Sequence, residues 1–394
     1  MKSSIIIFNP RASYIVGGAD RITLWQAKYL AKRGHKVTLV VEKRSNYSEY
    51  FKMFLENVHG IKKIKILYIE KLKELRVFDA YNGEYFIRTK IPIWSFDLRS
   101  IMDLITFIHN HDGACIVKDK HVIMHFIMDA LLMPLDCTRT VFIHGYINYY
   151  KPIYAVSLKK CDKIVMTSQT ILNKWMRLYA HVLKDKDVYV LRNAIDIEEV
   201  DQALNSIKKQ EPQQTYDLVF VGSLMEYKGV PHLLQLIKKL KYLRKVAIIG
   251  QGPLLDEIRR MIIKLGLSNK VDMLGYVSYS TLLKILSNAK AYIHLTEYGE
   301  SIPVAILESM YVGLPIITSN RNGAQEILPN GNIIVDINKF NNQLYLERIA
   351  SEIDQILLYE NYARYIGKRN KKVVLKHLNF YKYVIKLSKI ISQD

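Results

Sequence analysis

Short apolar runs, each followed by a stretch with helical spacing, recur along this chain in two successive series, and that repetition limits the fold more than any composition figure. The first series opens with Ile5 to Phe8, a helical pattern from Ala19 to Lys32 stopped by Gly34, and the run HKVTLVVE. Further β-type runs follow at Lys65 to Tyr68, Cys115 to Lys118, Val141 to His144, Lys163 to Thr167 and Val188 to Leu191. Continuous apolar strands alternating with helices indicate a parallel sheet covered on both faces. Between Ile197 and Asp217 the chain turns polar, and DLVFVG then restarts the pattern. The second series runs through KVAIIGQG, VDMLGYV, AYIHLT and LPIITSN, with helices expected at Leu233 to Leu240, Leu254 to Leu265, Leu282 to Ser287 and after Ser301. From Tyr362 to Ile391 lysines interleave with apolar residues at helical spacing, as one or two amphipathic helices. The expected organisation is therefore α/β: a Rossmann-like domain over 1–196, a linker over 197–216, a second Rossmann-like domain over 217–370, and an amphipathic helix over 371–394 that packs toward the first domain.

A chain of 394 residues suits two cores, and 49% apolar with 24% charged residues is a globular composition. The weakly charged run from Val122 to Leu135 is interrupted by His125 and Asp129 and falls short of the roughly 20 residues of a membrane span. The N-terminus reads as a buried strand rather than a leader. Cys115, Cys137 and Cys161 are odd in number and widely spaced, so free thiols and a cytoplasmic location are expected. The formal charge is +20, and residues 1–196 hold 31 Lys and Arg against 18 Asp and Glu. Such asymmetry favours a polyanionic partner, acidic lipid or nucleic acid. His121 and His125, with His109 and His111, lack carboxylate or cysteine partners at metal-ligand spacing, so no metal is expected. The GQG turn at Gly250 to Gly252 lacks the third glycine of a dinucleotide fingerprint, and no nicotinamide cofactor is expected.

The chemistry concentrates in EYGESIPVAILESMYVGLPIITSNRNGAQEIL, Glu297 to Leu328. Ser301 reads as an N-cap, Pro303 suits the first turn of the helix that follows, and Gly313 with Pro315 ends it. The loop Glu300 to Ile302 then sits at a helix N-terminus, where free N–H groups and the helix dipole suit a pyrophosphate. Glu308, about two turns inside by this reading, offers two acceptor oxygens to a vicinal diol such as that of a ribose. Glu300 would lie nearer a sugar.

These residues resemble the family-4 retaining glycosyltransferases, whose hallmark is two glutamates separated by seven residues, here Glu300 and Glu308. FVGSLMEYKGVPHLL looks like that family's first donor-domain loop, with Gly222, Ser223 and the phosphate-contacting Lys228. IIGQGPLLDEI, with Gly250, looks like the next strand and turn, and Gly275, Tyr276 and Val277 like the loop near the nucleobase. In the first half, IVGGADRITLWQAKYLAKRGHKVTLV looks like the acceptor-side glycine loop with Gly17 and Gly18. FIHG, with His144, is similar to the family's histidine loop, and LRNAID, with Asn193, to its hinge-proximal segment. The resemblance is specific over about 217–328, looser over 1–196, and absent from 45–115.

The resemblance implies a GT-B fold, two Rossmann-like domains facing each other across a cleft. It implies metal-independent, retaining transfer of a hexosyl unit from a nucleoside-diphosphate sugar, a co-substrate rather than a cofactor. Glu300, His144 and Lys228 would carry the reaction. Glu300, Ser301, Ile302 and Glu308, with the loop residues above, would hold the donor, and Gly17, Gly18, His144 and Asn193 the acceptor side. The acceptor is expected to be a glycan, glycolipid or lipid-linked molecule, and the location the cytoplasm or the cytoplasmic face of an anionic membrane. Many members carry an arginine where this chain has Ser223; Arg321 or Arg192 are the candidates to replace it. The alternatives are a degenerate GT-B protein that binds polyanions or acts as a scaffold, and a sugar-nucleotide epimerase. The absence of an aromatic-basic recognition motif or zinc knuckle argues against nucleic acid as the partner.

Overall fold

The structure is a computed structural model that describes residues 3–13, 17–43, 46–59, 61, 63–70, 75–79, 83–87, 120–131, 133, 137–145, 150–206 and 215–392. The strand expected at Cys115 to Lys118 and the histidines His109 and His111 lie outside the described residues. The chain divides into two compact units, Met1–Arg192 with Phe380–Asp394, and Asn193–Asn379.

In unit 1, seven strands form one parallel sheet: β1 (Ser4–Phe8), β2 (Lys36–Lys43), β3 (Ile64–Glu70), β6 (His121–Met124), β7 (Thr138–Ile143), β8 (Lys163–Met166) and β9 (Asp187–Val190). Their order is β3-β2-β1-β6-β7-β8-β9, so the connection reverses direction beside β1. A separate antiparallel pair is made by β4 (Leu75–Asp79) and β5 (Gly83–Ile87). The helices are α1 (Gly18–Lys32), α2 (Glu49–Val58), α3 (Pro152–Lys160) and α4 (Gln169–Leu183). Ile6, Val122, Met124, Val141, Ile164 and Met166 fill the core from both sides of the switch point. In doubly wound sheets ligands commonly bind outside the C-terminal strand ends beside such a reversal.

Unit 2 repeats the plan with six parallel strands: β10 (Leu218–Val221), β11 (Val246–Ile249), β12 (Val271–Gly275), β13 (Ala291–His294), β14 (Ile316–Ser319) and β15 (Ile333–Val335), in the order β12-β11-β10-β13-β14-β15. Its helices are α5 (Ile197–Asn205), α6 (Val230–Ile237), α7 (Leu255–Lys264), α8 (Tyr279–Ser287), α9 (Val304–Val312), α10 (Gln343–Leu358) and α11 (Glu360–His377). Here the reversal lies between β10 and β13.

Two boundaries differ from the sequence reading. The segment read as a linker from residue 197 holds α5, because the Asp196 side chain caps it by accepting from Glu199 N at 3.3 Å. The terminal amphipathic stretch, expected as one or two helices, is two, and the start expected at 371 falls inside the first of them. α11 stays in unit 2, and α12 (Phe380–Ser392) belongs to unit 1, where Phe380 packs edge-on to Trp25 of α1 at 5.4 Å between ring centroids. Among the described residues, no helix is long and apolar enough to cross a membrane.

Candidate functional site

In unit 2 the expected donor residues gather at the C-terminal ends of the strands. Gly222 and Ser223 follow β10, Gly250 follows β11, Gly275 ends β12 with Tyr276 and Val277 after it, and Glu300 lies on the loop beyond β13. Backbone bonds tie these ends together: Gly222 N donates to Ile249 O at 3.0 Å and Gly250 N to Gly275 O at 2.8 Å. Gly250 has φ +141°, and a Cβ there would stand 1.9 Å from Gly222 O, so only glycine fits. Gly229, next to Lys228, is equally constrained: φ is +71° and a Cβ would meet Leu295 O at 1.8 Å. The loop carrying Lys228 is thereby pressed against the end of β13, where Thr296 Oγ1 donates to Tyr227 O at 3.0 Å.

This packing brings Lys228 to Glu300. The ammonium donates to Glu300 Oε1, and both side chains are 16% exposed. On the other carboxylate oxygen, His294 Nε2 donates to Oε2 at 3.2 Å, since a carboxylate can only accept. His294 is buried, stacked on Phe220 at 5.7 Å between centroids, with its Nδ1 3.4 Å from the Tyr292 hydroxyl. Burial raises the Glu300 pKa, but Lys228 and His294 outweigh it and hold the carboxyl at about 2. Glu300 is therefore ionised at neutral pH.

The helix after Glu300 starts later than the sequence suggests. Its N-cap is Pro303, not Ser301, and no side chain caps it. The reason is that Ser301 and Ile302 are occupied otherwise: Asn193 Nδ2 lies 3.3 Å from Ser301 Oγ and donates to Ile302 O at 2.9 Å. The uncapped start of α9 keeps N–H groups available to an anion. Ser301 and Ile302 are buried. Glu308 is the fifth residue of α9, about one turn in rather than two, and it is buried. The Tyr279 hydroxyl donates to its Oε1 at 2.8 Å. Tyr276 is exposed at 51%, an open aromatic face beside the Gly275 turn.

Asn193, expected on the acceptor side, is the first residue of unit 2 and braces the Ser301–Ile302 loop. Arg321, a candidate to replace the arginine missing at Ser223, donates to Asn338 Oδ1, while its backbone oxygen accepts from Glu300 N at 3.3 Å. Arg192 falls in unit 1.

In unit 1, Gly17 caps α1 and its N–H donates to Asp20 Oδ2 at 3.1 Å, with Gly18 as the first helical residue. Asp20 is buried, accepts from Asn9 Nδ2 at 3.2 Å and lies 3.7 Å from Arg11. His144 stands just past β7, and its Nε2 lies 2.8 Å from Nδ1 of His125, which stands just past β6. Burial, then the charge of Arg11, lowers the His144 pKa to about 4, so the ring is neutral at pH 7. His121 opens β6 and His125 follows its last residue, and His121 Nε2 pairs with Thr140 Oγ1 at 2.7 Å. They share no ligand position, and no group of three metal-ligating side chains occurs among the described residues.

Sequence reasoning missed His294, Tyr279, Arg11 and Gln26. A histidine at the end of a β run six residues before Glu300 was the available signal for the first. Tyr279 and Gln26 gave none, because they act through tertiary contacts alone.

Comparison with known proteins follows the same two-part division. Residues 16–199 match the model of Glycosyltransferase Family 4, and residues 201–373 that of Glycosyl transferases group 1. An uncharacterized glycosyltransferase of Methanocaldococcus jannaschii is 25% identical over 252 residues, 62% of each chain. The GPI3 subunit of phosphatidylinositol N-acetylglucosaminyltransferase from Saccharomyces cerevisiae is 24% identical over 248 residues, 59% of this chain and 52% of that one. The chain thus spans about half to three fifths of the length of these relatives. The crystal structure of Anabaena HepE in complex with UDP-glucose superposes with a TM-score of 0.70 over 99% of both chains at 14% identity. That likeness shows the fold, GT-B.

Proposed function

Because the chain belongs to the group 1, family 4 glycosyltransferases, we propose that it is an enzyme transferring a hexosyl unit from a nucleoside-diphosphate sugar to a glycan, glycolipid or lipid-linked acceptor, with retention and without a metal ion. The observation that carries this reading is the cluster at the start of α9: Lys228 and an uncapped helix N-terminus for the diphosphate, Glu300 for the sugar hydroxyls, and Glu308 beneath them for the ribose. Lys228 and the helix N-terminus supply positive charge where the leaving diphosphate becomes more negative, the electrostatic contribution that usually dominates such catalysis. A carboxylate held at about 2 is a poor proton acceptor at neutral pH, so Glu300 orients the sugar and is no general base. The departing phosphate then receives the acceptor's proton, which accords with retention. His144, neutral and hydrogen-bonding, acts on the sugar and acceptor side, with the Gly17–Gly18 start of α1. UDP-glucose in the Anabaena structure suggests a uridine nucleotide as the first donor to try.

A membrane-facing acceptor is supported by α11, whose solvent side presents Arg364, Lys368, Lys371, Lys372 and Lys376 with Tyr365 and Leu375. Such a cationic face carrying an aromatic side chain suits an anionic bilayer surface. The yeast relative's phosphatidylinositol acceptor points the same way. The protein is then a peripheral one on the cytoplasmic face, and co-sedimentation that ignores the anionic lipid content of vesicles would remove that part of the reading.

The transferase reading is tested by product analysis: free nucleoside diphosphate with a glycosylated acceptor supports it, whereas an isomerised donor or a sugar phosphate replaces it. Glu308→Ala tests the donor site directly. Loss of a hydrogen bond to a charged group, about 1.5–3 kcal/mol, should weaken nucleoside-diphosphate binding by roughly ten- to a hundredfold. Unchanged affinity in calorimetry removes Glu308 from the donor site.

A further inference from the structure

Behind His144 in unit 1 runs a chain of hydrogen bonds that the transferase reading does not by itself require. His125 Nδ1 faces His144 Nε2 at 2.8 Å, and His125 Nε2 faces Gln26 Oε1 at 2.9 Å. Gln26 Nε2 in turn donates to the Tyr383 hydroxyl at 2.8 Å. Gln26, His125 and Tyr383 are 0%, 3% and 3% exposed, whereas His144 is partly exposed, so the chain is buried except where it surfaces at His144. It joins four elements: α12 through Tyr383, α1 through Gln26, and the ends of β6 and β7 through the two histidines. The rings of His125 and His144 also stack at 5.1 Å and 18°, which fixes their mutual orientation.

The chain has a direction. An amide oxygen only accepts, so His125 must carry its proton on Nε2. Burial keeps His125 neutral, which leaves its Nδ1 an acceptor. His144 must then donate from Nε2, and its own Nδ1 is left unprotonated.

We propose that His125, Gln26 and Tyr383 are positioning residues for His144, holding its proton on Nε2 so that Nδ1 accepts a hydrogen bond from a substrate hydroxyl. The assignment rests on the reading of His144 as part of the sugar and acceptor site. It makes the last helix, α12, a component of that site. A histidine oriented by the partner of its other nitrogen is a general device.

The test uses the full chain labelled with 15N-histidine, whose 11 histidines are resolved in long-range proton–nitrogen correlation spectra that separate the two neutral ring forms. His144 is assigned by its loss in His144→Gln. In the unmutated protein His144 should carry its proton on Nε2. Gln26→Leu, which removes the acceptor, should shift His144 toward the other form and lower turnover about tenfold, the scale seen when an orienting partner of a histidine is lost, with donor KM within twofold. Tyr383→Phe deletes one hydroxyl, keeps the ring packing, and should move the ring populations in the same direction to a smaller extent.

A proton on Nδ1 of His144 in the unmutated protein overturns the proposal. So does a His144 ring unchanged in both variants while their circular dichroism matches the parent. If His144→Ala abolishes transfer but Gln26→Leu alters neither ring nor rate, the relay alone fails. If the ring responds as expected but His144→Ala transfers sugar at the full rate, the substrate role of His144 fails and the relay's function with it.

Discussion

In unit 2 the polar centre is a charged pair, Lys228 against Glu300 with His294 behind, whereas in unit 1 it is a series of neutral groups that ends at His144. Both centres sit at strand ends beside the point where a doubly wound sheet reverses, and both are mostly shielded from water. Low dielectric offers two ways to keep a titratable group in one state at neutral pH. Opposite charges within hydrogen-bond reach hold a carboxyl ionised; the cost of burying a charge without a counter-ion keeps an imidazole neutral. Unit 2 uses the first and suits a ligand that is itself charged. Unit 1 uses the second and suits hydroxyl groups.

The largest effect expected from breaking this contrast is in Lys228→Ala. It removes the cation assigned to the leaving diphosphate in the proposed reaction, and turnover should fall about 10²–10³-fold, the range for deleting one preorganised electrostatic donor. The same change leaves Glu300 with His294 as its remaining named partner, so its carboxyl should titrate upward, visible as a 13C carboxyl shift against pH. Turnover within threefold of the parent would show that the unit 2 centre is structural.

Glycines sharpen the comparison next. Gly229→Ala puts a Cβ into Leu295 O with φ at +71°, so strain and overlap together should cost about 2–4 kcal/mol of stability in chemical denaturation. Gly17→Ala in unit 1 should be mild, under about 1 kcal/mol on the same measure. Gly17 has φ −99°, and its added Cβ meets a side-chain atom, Asp20 Oδ2, at 2.9 Å rather than backbone. Equal losses would mean the Lys228 loop is looser than its packing against Leu295 implies.

Acid should weaken the two centres in sequence. His144 has its pKa lowered from 6.5 to about 4, so the unfolded chain takes up a proton that the folded one refuses. The stability it contributes is whole above 6.5 and is lost as pH falls toward about 4, with burial first and the charge of Arg11 second as the causes. Glu300 is lowered from 4.5 to about 2, so its contribution is whole above 4.5 and disappears as pH falls through about 2. Glu300→Gln should therefore flatten stability against pH in the lower window only, by at most ~1.4 kcal/mol per pH unit, one proton's worth. An altered upper window would mean that the two centres are coupled.

Much of this was legible in the residues before any coordinates. The parallel sheets followed from apolar runs at regular spacing, and Lys228, Glu300 and Glu308 from a motif whose chemistry is local. The misplaced boundaries have two causes. Asn193 occupies Ser301 from 108 residues away, so a side chain distant in sequence decided which residue caps α9, whereas Asp196 starts α5 within a polar segment through an amide only three residues on. Gln26 gave no signal, because its partners are 99 and 357 residues away. Periodicity records which face of a helix is buried; it does not record which buried polar group answers another.

Tyr279 carries the smallest expected effect and the finest distinction. Its hydroxyl donates to Glu308 Oε1 at 2.8 Å from the first residue of α8, a helix capped by Ser278 just after the Gly275 turn. Removing it in Tyr279→Phe leaves the Glu308 side chain buried but less firmly oriented. The hydroxyl reaches the ligand only through the orientation of Glu308, so nucleoside-diphosphate affinity should drop by about 0.5–1.5 kcal/mol, roughly two- to tenfold, less than for Glu308→Ala. The comparison must be made with nucleoside and nucleoside diphosphate in parallel. If Tyr279 orients Glu308 toward a ribose, both ligands weaken by the same factor, because the ribose is common to them. A loss confined to the diphosphate would instead place Glu308 with the phosphate cluster of Lys228, and the division of labour within α9 would have to be redrawn.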